Sequence, residues 1–107
     1  TGPVQIVRTA TSVCFAADHI AGPLWWRPWQ DADRIEPLGM NGSMLVSDIL
    51  TNARVDHLRR RSIHVLTDEQ GILWVCGYRR CDRALITRKT TRVLLATISQ
   101  TKTEEFR

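Results

Sequence analysis

Short runs of β-branched and aromatic residues alternate with polar turns along most of this chain. Two runs near the start, VQIVRT at 4–9 and VCFAA at 13–17, are split by small polar residues and predict a hairpin. A turn at 18–23, closed by Gly22-Pro23, leads into a predicted strand at 24–29. The first quarter of the chain is therefore predicted to be mainly β-structure.

The middle of the chain predicts a loop followed by helices. Residues 31–43 contain two glycines and a proline and predict a loop. Ser47 is the predicted N-cap of a short helix, with Asp48 in its first turn, where a negative charge favours the helix dipole. We expect this helix to end near Arg54 and a second short helical turn to form within 55–62.

The last third of the chain returns to β-structure. Apolar runs at 63–67 and 72–78 flank Asp68-Glu69-Gln70-Gly71, which predicts a hairpin with a four-residue turn. A charged connection at 79–85 precedes a β-branched closing strand at 90–98. The predicted class is α+β: a small antiparallel β-sheet domain, sandwich-like, with one or two short helices packed on one side.

Length and composition limit the organisation of the chain. Its 107 residues, 1–107, are expected to form one domain, with a polar end at 101–107 that frays. The chain starts at Thr1 rather than Met, which favours a piece of a longer protein. No apolar run approaches the roughly 20 residues needed to span a bilayer. Three cysteines, an odd number, suit a reducing cytoplasm better than a disulfide framework.

Positive charge is concentrated in one part of the chain. Residues 1–53 hold three basic side chains against five acidic ones, whereas residues 54–92 hold ten against four. Thirteen of the fifteen basic residues are arginines, whose planar guanidinium binds phosphate in a bidentate way. This basic stretch is typical of an RNA or phosphate partner, and its alternative is an ordinary solvated face.

Four blocks of residues identify a known family. The blocks comprise Asp18, Pro23, Leu24 and Arg27; Trp29, Asp33, Arg34, Pro37, Leu38, Gly39, Met40, Gly42, Ser47 and Asp48; Arg54, Val55 and Arg60; and Trp74, Gly77, Arg79, Asp82, Arg83, Thr87, Thr91 and Val93. In this order and spacing they resemble the C-terminal domain of bacterial tRNA(Ile)-lysidine synthase. The resemblance covers about residues 13–98.

The chain also departs from the family pattern. Lysines of the family are replaced by Asn41, Met44 and Leu45, and its Ile-Asp pair is replaced by Arg80 and Cys81. Contacts to RNA phosphates are therefore expected mainly from the arginines between 54 and 92.

The resemblance implies a specific parent enzyme. Such an enzyme is an ATP-dependent ligase that attaches lysine to cytidine 34 of the minor isoleucine tRNA with a CAU anticodon. ATP, with magnesium, and lysine bind an N-terminal catalytic domain that carries a Ser-Gly-Gly-x-Asp-Ser loop, which is absent from this chain. The resemblance thus implies a cytoplasmic, non-catalytic domain that holds no cofactor of its own and helps to recognise tRNA.

Eight arginines are the candidates for tRNA contact: Arg27, Arg34, Arg54, Arg59, Arg60, Arg61, Arg79 and Arg83. Phosphate contacts would position the RNA rather than specify its sequence. The alternative is internal pairing, in which Asp33 holds the adjacent Arg34 and Asp82 holds the adjacent Arg83.

The four tryptophans have two interpretations, base stacking and core packing. We expect Trp26 and Trp74 to belong to the core, at least in part. Trp25 and Trp29 lie on the same predicted strand face as Arg27, so one of them is a candidate for stacking on that arginine.

Other classes of function fit less well. The main alternative is a dimerisation or domain-packing module of the same enzyme without direct RNA contact, in which a strand edge at 90–98 pairs with another chain as a homodimer. A metal site is not predicted, because no Cys-x-x-Cys occurs and an arginine pair lies between Cys76 and Cys81. A free-standing enzyme is disfavoured because no nucleophile lies beside a base.

Overall fold

Eight strands and two α-helices follow one another in residues 7–101, which the computed structural model describes, with side chains from 12 to 98. A 3-10 turn at Ala17–His19 follows the first strand and overlaps the start of the turn predicted at 18–23. The elements are β1 (Val7–Ala16), β2 (Trp25–Pro28), β3 (Arg34–Ile35), β4 (Met44–Leu45), α1 (Val46–Asn52), α2 (His57–Arg60), β5 (His64–Asp68), β6 (Gly71–Val75), β7 (Arg79–Arg80) and β8 (Val93–Thr101).

The two longest strands, β1 and β8, form a two-stranded antiparallel ribbon. The hairpin predicted from 4–9 and 13–17 is wrong for the described residues, because 7–16 is one continuous strand paired with the far end of the chain. Small polar residues break the apolar pattern there, but β8 still supplies backbone partners. Residues 4–6, and residues 102–107 of the end expected to fray, lie outside the described residues.

Strands β2, β5, β6 and β7 form a four-stranded antiparallel sheet in the order β2-β5-β6-β7. This confirms the predicted strand at 24–29 and the predicted hairpin. The segment 79–85, predicted as a connection, instead begins with a strand, because Arg79–Arg80 pairs with the backbone of Trp74–Val75. The added strand satisfies the otherwise open edge of β6.

The turn between β5 and β6 is shorter than predicted. Asp68 pairs directly with Gly71, so the loop consists of Glu69 and Gln70 alone. The carboxylate of Asp68 closes the turn, because its Oδ1 accepts hydrogen bonds from the backbone N–H of Gln70 at 2.9 Å and of Gly71 at 3.3 Å.

A tertiary contact starts helix α1 two residues earlier than predicted. The predicted N-cap, Ser47, lies inside the helix, and the true cap residue, Leu45, makes no side-chain hydrogen bond. The backbone N–H of Val46 donates instead to the carbonyl of Asp33 at 2.9 Å. The pairing of β3 with β4 holds these segments together, so the predicted loop at 31–43 contains a short strand.

Helix α2 lies inside the segment 55–62, as predicted. The Asp56 side chain caps it by accepting a hydrogen bond from the backbone N–H of Arg59 at 2.9 Å. Arg54 joins the two helices with a φ of 60°, and its backbone N–H donates to the carbonyl of Thr51 at 2.9 Å.

The core lies between α1, the β5–β6 hairpin and the inner face of the ribbon. Helix α1 buries Val46, Ile49 and Leu50, whereas α2 has no buried residue and stays on the surface. The cluster is completed by Phe15, Ile35, Val55, Val65, Leu66, Ile72, Leu73, Trp74, Val75, Cys76, Cys81, Ala84 and Ala96. Antiparallel sheets with two short helices confirm the predicted α+β class. Within residues 7–101, neither helix has the length and apolar run that a membrane crossing requires.

Candidate nucleic-acid interface

The eight candidate arginines fall into two groups. One group, the anchored arginines, makes side-chain hydrogen bonds within the fold, and the other, the basic corner, has no side-chain partner among the described residues. The anchored arginines are Arg27, Arg34, Arg60, Arg79 and Arg83. The basic corner consists of Arg54, Arg59 and Arg61.

Arg27 binds Asp33 through both guanidinium ends. Its Nη1 and Nη2 donate to Oδ2 and Oδ1 of Asp33, each at 2.9 Å. The expectation that Asp33 would hold Arg34 is therefore wrong. Burial works to raise the pKa of Asp33, but hydrogen bonds from Arg27 and from the backbone N–H of Gln30 outweigh it and lower that pKa. The pair fixes the loop that follows β2.

Arg83 makes the most buried ion pair of the described residues, and its partner is Asp68 rather than the predicted Asp82. Its Nη1 donates to Oδ2 of Asp68 at 2.9 Å, and its Nη2 donates to Oδ1. The Asp68 side chain is 0% exposed. Burial works to raise its pKa, yet hydrogen bonds from Arg83 and the backbone N–H groups of Ala21 and Gln70 lower it to about 2.

The other anchored arginines bind oxygen atoms of neutral groups. Arg34 donates from Nε to Oγ of Ser43 at 2.8 Å and from Nη2 to the carbonyl of Ser43 at 3.3 Å. Arg60 donates from Nε to the carbonyl of Val55 at 2.8 Å and from Nη2 to Oγ1 of Thr51 at 2.9 Å, and the second bond ties α2 to the end of α1. Arg79 donates from Nη2 to the carbonyl of Leu38 at 3.2 Å.

Arg80, which was not among the candidates, joins the ribbon to the four-stranded sheet. It donates to the carbonyls of Cys14 at 2.8 Å, Cys81 at 2.9 Å and Arg83 at 2.9 Å. Its guanidinium carbon lies 4.6 Å from the ring centroid of Phe15, a cation–π contact. The one sequence signal for this role is that Arg80 replaces an apolar residue of the family pattern.

The basic corner projects from the surface at the junction of α1 and α2. All three of its arginines are exposed, and Leu58 beside them is 76% exposed. The nearest acidic residue in sequence, Asp56, is occupied as the cap of α2. Within the part of the chain that the structure describes, these three guanidinium groups have no side-chain partner and face solvent from one short segment, an arrangement suited to binding phosphates.

The tryptophans divide differently from the prediction. Trp74 is buried as expected, but Trp26 is 48% exposed and contacts Trp74 at a ring-centroid distance of 6.1 Å. Trp29 is partly buried, and its Nε1 donates to the carbonyl of Arg60 at 2.8 Å. Neither Trp25 nor Trp29 stacks on Arg27 in the described part of the chain, because Arg27 is turned towards Asp33.

The cysteines are free thiols. Cys76 is buried, and burial raises the pKa of its thiol to about 12, so the thiol stays protonated at neutral pH. Cys81 is also buried, and its Sγ lies 3.4 Å from the carbonyl of Arg83. These two side chains act as small core residues.

A pocket of about 240 Å³ lies between β3, the β5–β6 turn and the segment after β7; we name it the turn pocket. Buried Ile35, Ile72 and Cys81 form its apolar wall. Its polar lining consists of Arg34, Glu36, Ser43, Gln70, Gly71, Asp82 and Arg83.

Comparison with known proteins identifies relatives of this chain. The family model of the TilS substrate C-terminal domain matches residues 24–96. The tRNA(Ile)-lysidine synthase of Geobacter sulfurreducens is 45% identical over 89 residues, which are 81% of this chain and 19% of that enzyme. That of Bacteroides thetaiotaomicron is 32% identical over 95 residues, 89% of this chain and 22% of the enzyme. The chain thus spans about a fifth of these relatives.

Solved structures share the fold. A crystal structure of a TilS C-terminal domain superposes with a TM-score of 0.68 at 20% identity, covering 97% of this chain and 78% of that one. An N-terminal fragment of the phenylalanyl-tRNA synthetase β-subunit from Pyrococcus horikoshii gives a TM-score of 0.72 at 20% identity, covering 86% of this chain and 28% of that one. The family match covers most of the chain, and the chain therefore belongs to the TilS substrate C-terminal domain family.

Proposed function

We propose that this chain is the tRNA-recognition domain of a tRNA(Ile)-lysidine synthase. The parent enzyme would attach lysine to cytidine 34 of the minor isoleucine tRNA, using ATP and magnesium in a catalytic domain outside this chain. This domain would contribute affinity for tRNA but no catalytic group, and it would work in the cytoplasm. Family membership supports the enzyme, and the basic corner is the observation that supports RNA contact.

Arg54, Arg59 and Arg61 are the residues proposed to contact the RNA backbone. Their side chains are exposed and have no internal partner among the described residues, so binding a phosphate breaks no interaction of the fold. Neutralising phosphates releases bound counterions, which makes such binding weaken with salt. The anchored arginines differ, because each already donates at least one side-chain hydrogen bond within the fold.

A salt titration of tRNA binding tests the basic corner. The double variant Arg59→Ala/Arg61→Ala is compared with the original chain by filter binding of isoleucine tRNA between 50 and 200 mM salt. We expect the slope of log affinity against log salt to fall by about 2, since each lost phosphate contact removes about 1.

The matched control removes two other exposed cations. Arg88→Ala/Lys89→Ala changes the net charge by the same amount in the loop before β8 and should leave the slope within error of the original. Equal loss of slope in both double variants would assign the binding to net charge and contradict a specific role for the basic corner. A complete lack of salt-dependent affinity in the original chain would refute tRNA recognition itself.

A second function, domain packing without RNA contact, is supported by the outer face of the ribbon. Val93 is 55% exposed and Leu95 is 60% exposed, and Cys14 lies exposed on the strand opposite. The relatives are about four times as long as the chain, so the proposed occupant of this face is another part of the same polypeptide. Sedimentation of the 107-residue chain separates the cases: a tight dimer that tRNA does not affect favours a homodimer interface instead.

A further inference from the structure

The turn pocket has an apolar wall, and its volume suits a small ligand such as a single ring. Its volume of about 240 Å³ is below the roughly 300–1,000 Å³ of drug-sized ligand sites. Ile35 and Ile72 form the apolar part of the lining with 2% and 8% of their surfaces exposed, so the apolar contact area is narrow and lies at the bottom of the pocket. A wall of this kind accommodates a flat ring such as a nucleobase, which gains by leaving water on one face.

Two carboxylates lie on the rim of this pocket, and both are free to accept hydrogen bonds. Glu36 and Asp82 are exposed, and their side chains have no hydrogen-bond partner within the described part of the chain. The backbone N–H of Asp82 donates to the carbonyl of Glu36 at 3.0 Å, which keeps the two residues side by side. Carboxylates accept and do not donate, so they favour an amine over a carbonyl oxygen.

A single arginine on the rim has donors to spare. Arg34 uses Nε and Nη2 on Ser43, which leaves its Nη1 without a partner among the described residues. Arg83, the other cation of the lining, is already held by Asp68 in a bidentate pair. Arg34 is therefore the group of this pocket that can bind a phosphate.

We infer that the turn pocket binds one unpaired nucleotide of the RNA, with a base that carries an exocyclic amine. The base lies against Ile35 and Ile72, its amine donates to Asp82 or Glu36, and its phosphate faces Arg34. Single-stranded nucleotides are recognised in this way because their base edges are free. This inference rests on the proposed function and adds to it a second contact, separate from the basic corner and able to discriminate between bases.

Two mononucleotides that differ at the exocyclic group provide the test. Cytidine 5′-monophosphate carries an amine where uridine 5′-monophosphate carries a carbonyl oxygen. Each is titrated into the 107-residue chain while amide resonances are followed by NMR. We expect shifts at Gln70, Gly71, Ile72 and Asp82, and binding of the cytidine nucleotide about tenfold tighter than that of the uridine nucleotide.

Variants assign the discrimination to the proposed groups. Asp82→Asn/Glu36→Gln should bring the two affinities to within about twofold, because an amide donates as well as accepts. Arg34→Met should weaken both nucleotides equally, since both carry the phosphate. Glu36→Gln alone is the fallback if the double variant unfolds, and Arg88→Ala is the control expected to change neither affinity.

The outcomes separate this inference from the proposed function. Equal affinity for the two nucleotides in the original chain, or shifts that lie away from the pocket, would overturn the inference even if tRNA binding is intact. Tighter binding of free glycine or lysine than of the cytidine nucleotide would also overturn it, because the pocket would then hold an amino acid. If Arg59→Ala/Arg61→Ala loses affinity for tRNA but keeps the original ratio of cytidine to uridine nucleotide affinities, both the proposed function and this inference are supported.

Discussion

Arg83 and Arg59 show how differently one residue type is used in this molecule. Both terminal nitrogens of the Arg83 guanidinium donate to the carboxylate of Asp68, which is 0% exposed. Arg59, in contrast, extends into solvent with no side-chain partner among the described residues. The same contrast separates the anchored arginines from the basic corner. An arginine in a basic segment therefore indicates RNA binding only after its internal partners are known.

Distance along the chain explains why the partners were not evident. Arg83 pairs with Asp68, fifteen residues earlier, and Arg27 pairs with Asp33, six residues later. Asp82 and Arg83 are adjacent in sequence, but the segment after β7 bends and the Arg83 guanidinium is turned towards Asp68 at the β5–β6 turn. The partner of each arginine is set by the sheet and its turns.

The largest expected change in the free energy of unfolding concerns the anchored arginines. Asp68→Ala leaves the Arg83 guanidinium without its carboxylate and removes the acceptor for three backbone N–H groups. We expect a loss of about 3 kcal/mol in the free energy of unfolding. Urea unfolding followed by tryptophan fluorescence measures it. A loss below 1 kcal/mol would show that this pair does not hold the turn.

A pH titration sharpens the same point. The pKa of Asp68 is about 2 in the fold and near 3.8 without the fold, so the carboxylate stabilises the fold fully above pH 3.8. That stabilisation, about 2 kcal/mol, is lost as the pH falls from 4 to 2. Urea unfolding at several pH values should show this decline. Asp68→Asn should show a shallower one, with the remainder due to other carboxylates such as Asp33, whose pKa is also lowered.

A smaller change in the free energy of unfolding is expected at α2, the helix that carries Arg60 of the anchored arginines and Arg59 of the basic corner. Asp56 caps α2, which carries part of the basic corner. Asp56→Ala should cost about 1 kcal/mol in the free energy of unfolding and should also weaken tRNA binding by loosening Arg59. Asp31→Ala removes an exposed acidic side chain elsewhere and serves as the control. Equal unfolding midpoints for the two variants would contradict a structural role for the cap.

The smallest effect on stability is expected in the basic corner itself. Arg59→Ala and Arg61→Ala remove no side-chain hydrogen bond or ion pair of the described residues, so each should change the free energy of unfolding by less than about 0.5 kcal/mol. If either variant lost as much free energy of unfolding as Asp68→Ala, the distinction between the anchored arginines and the basic corner would be wrong. Thermal unfolding measured alongside the salt titration decides this, because it separates a loss of binding from a loss of structure.

Local patterns predicted much of the fold. Runs of apolar and aromatic residues bounded by turn residues located β2 and the β5–β6 hairpin, and the arginine-rich segment correctly predicted α2. The short range of these signals is why they succeeded, since each element is encoded by its own residues. Strand β1 was misjudged as a hairpin because its partner, β8, lies at the other end of the chain. The start of α1 was misjudged because a distant carbonyl, that of Asp33, replaces a side-chain cap.

The candidate site was predicted only as a set of arginines. Sequence placed positive charge between residues 54 and 92 but did not separate Arg60, which holds α2 to α1, from its exposed neighbours Arg59 and Arg61. It also missed Arg80, whose three carbonyl acceptors come from β1 and from the segment after β7. The turn pocket has no sequence signal, because its lining comes from four separate segments.

The sequence by itself determined the family, the α+β class and the concentration of arginines in the second half of the chain, because these depend on residue identity and local order. Only the tertiary structure decided which arginines are anchored and which face solvent. The physical reason is that a guanidinium binds whichever carboxylate or carbonyl lies within hydrogen-bonding distance, and pairing between strands, rather than adjacency in sequence, determines that distance.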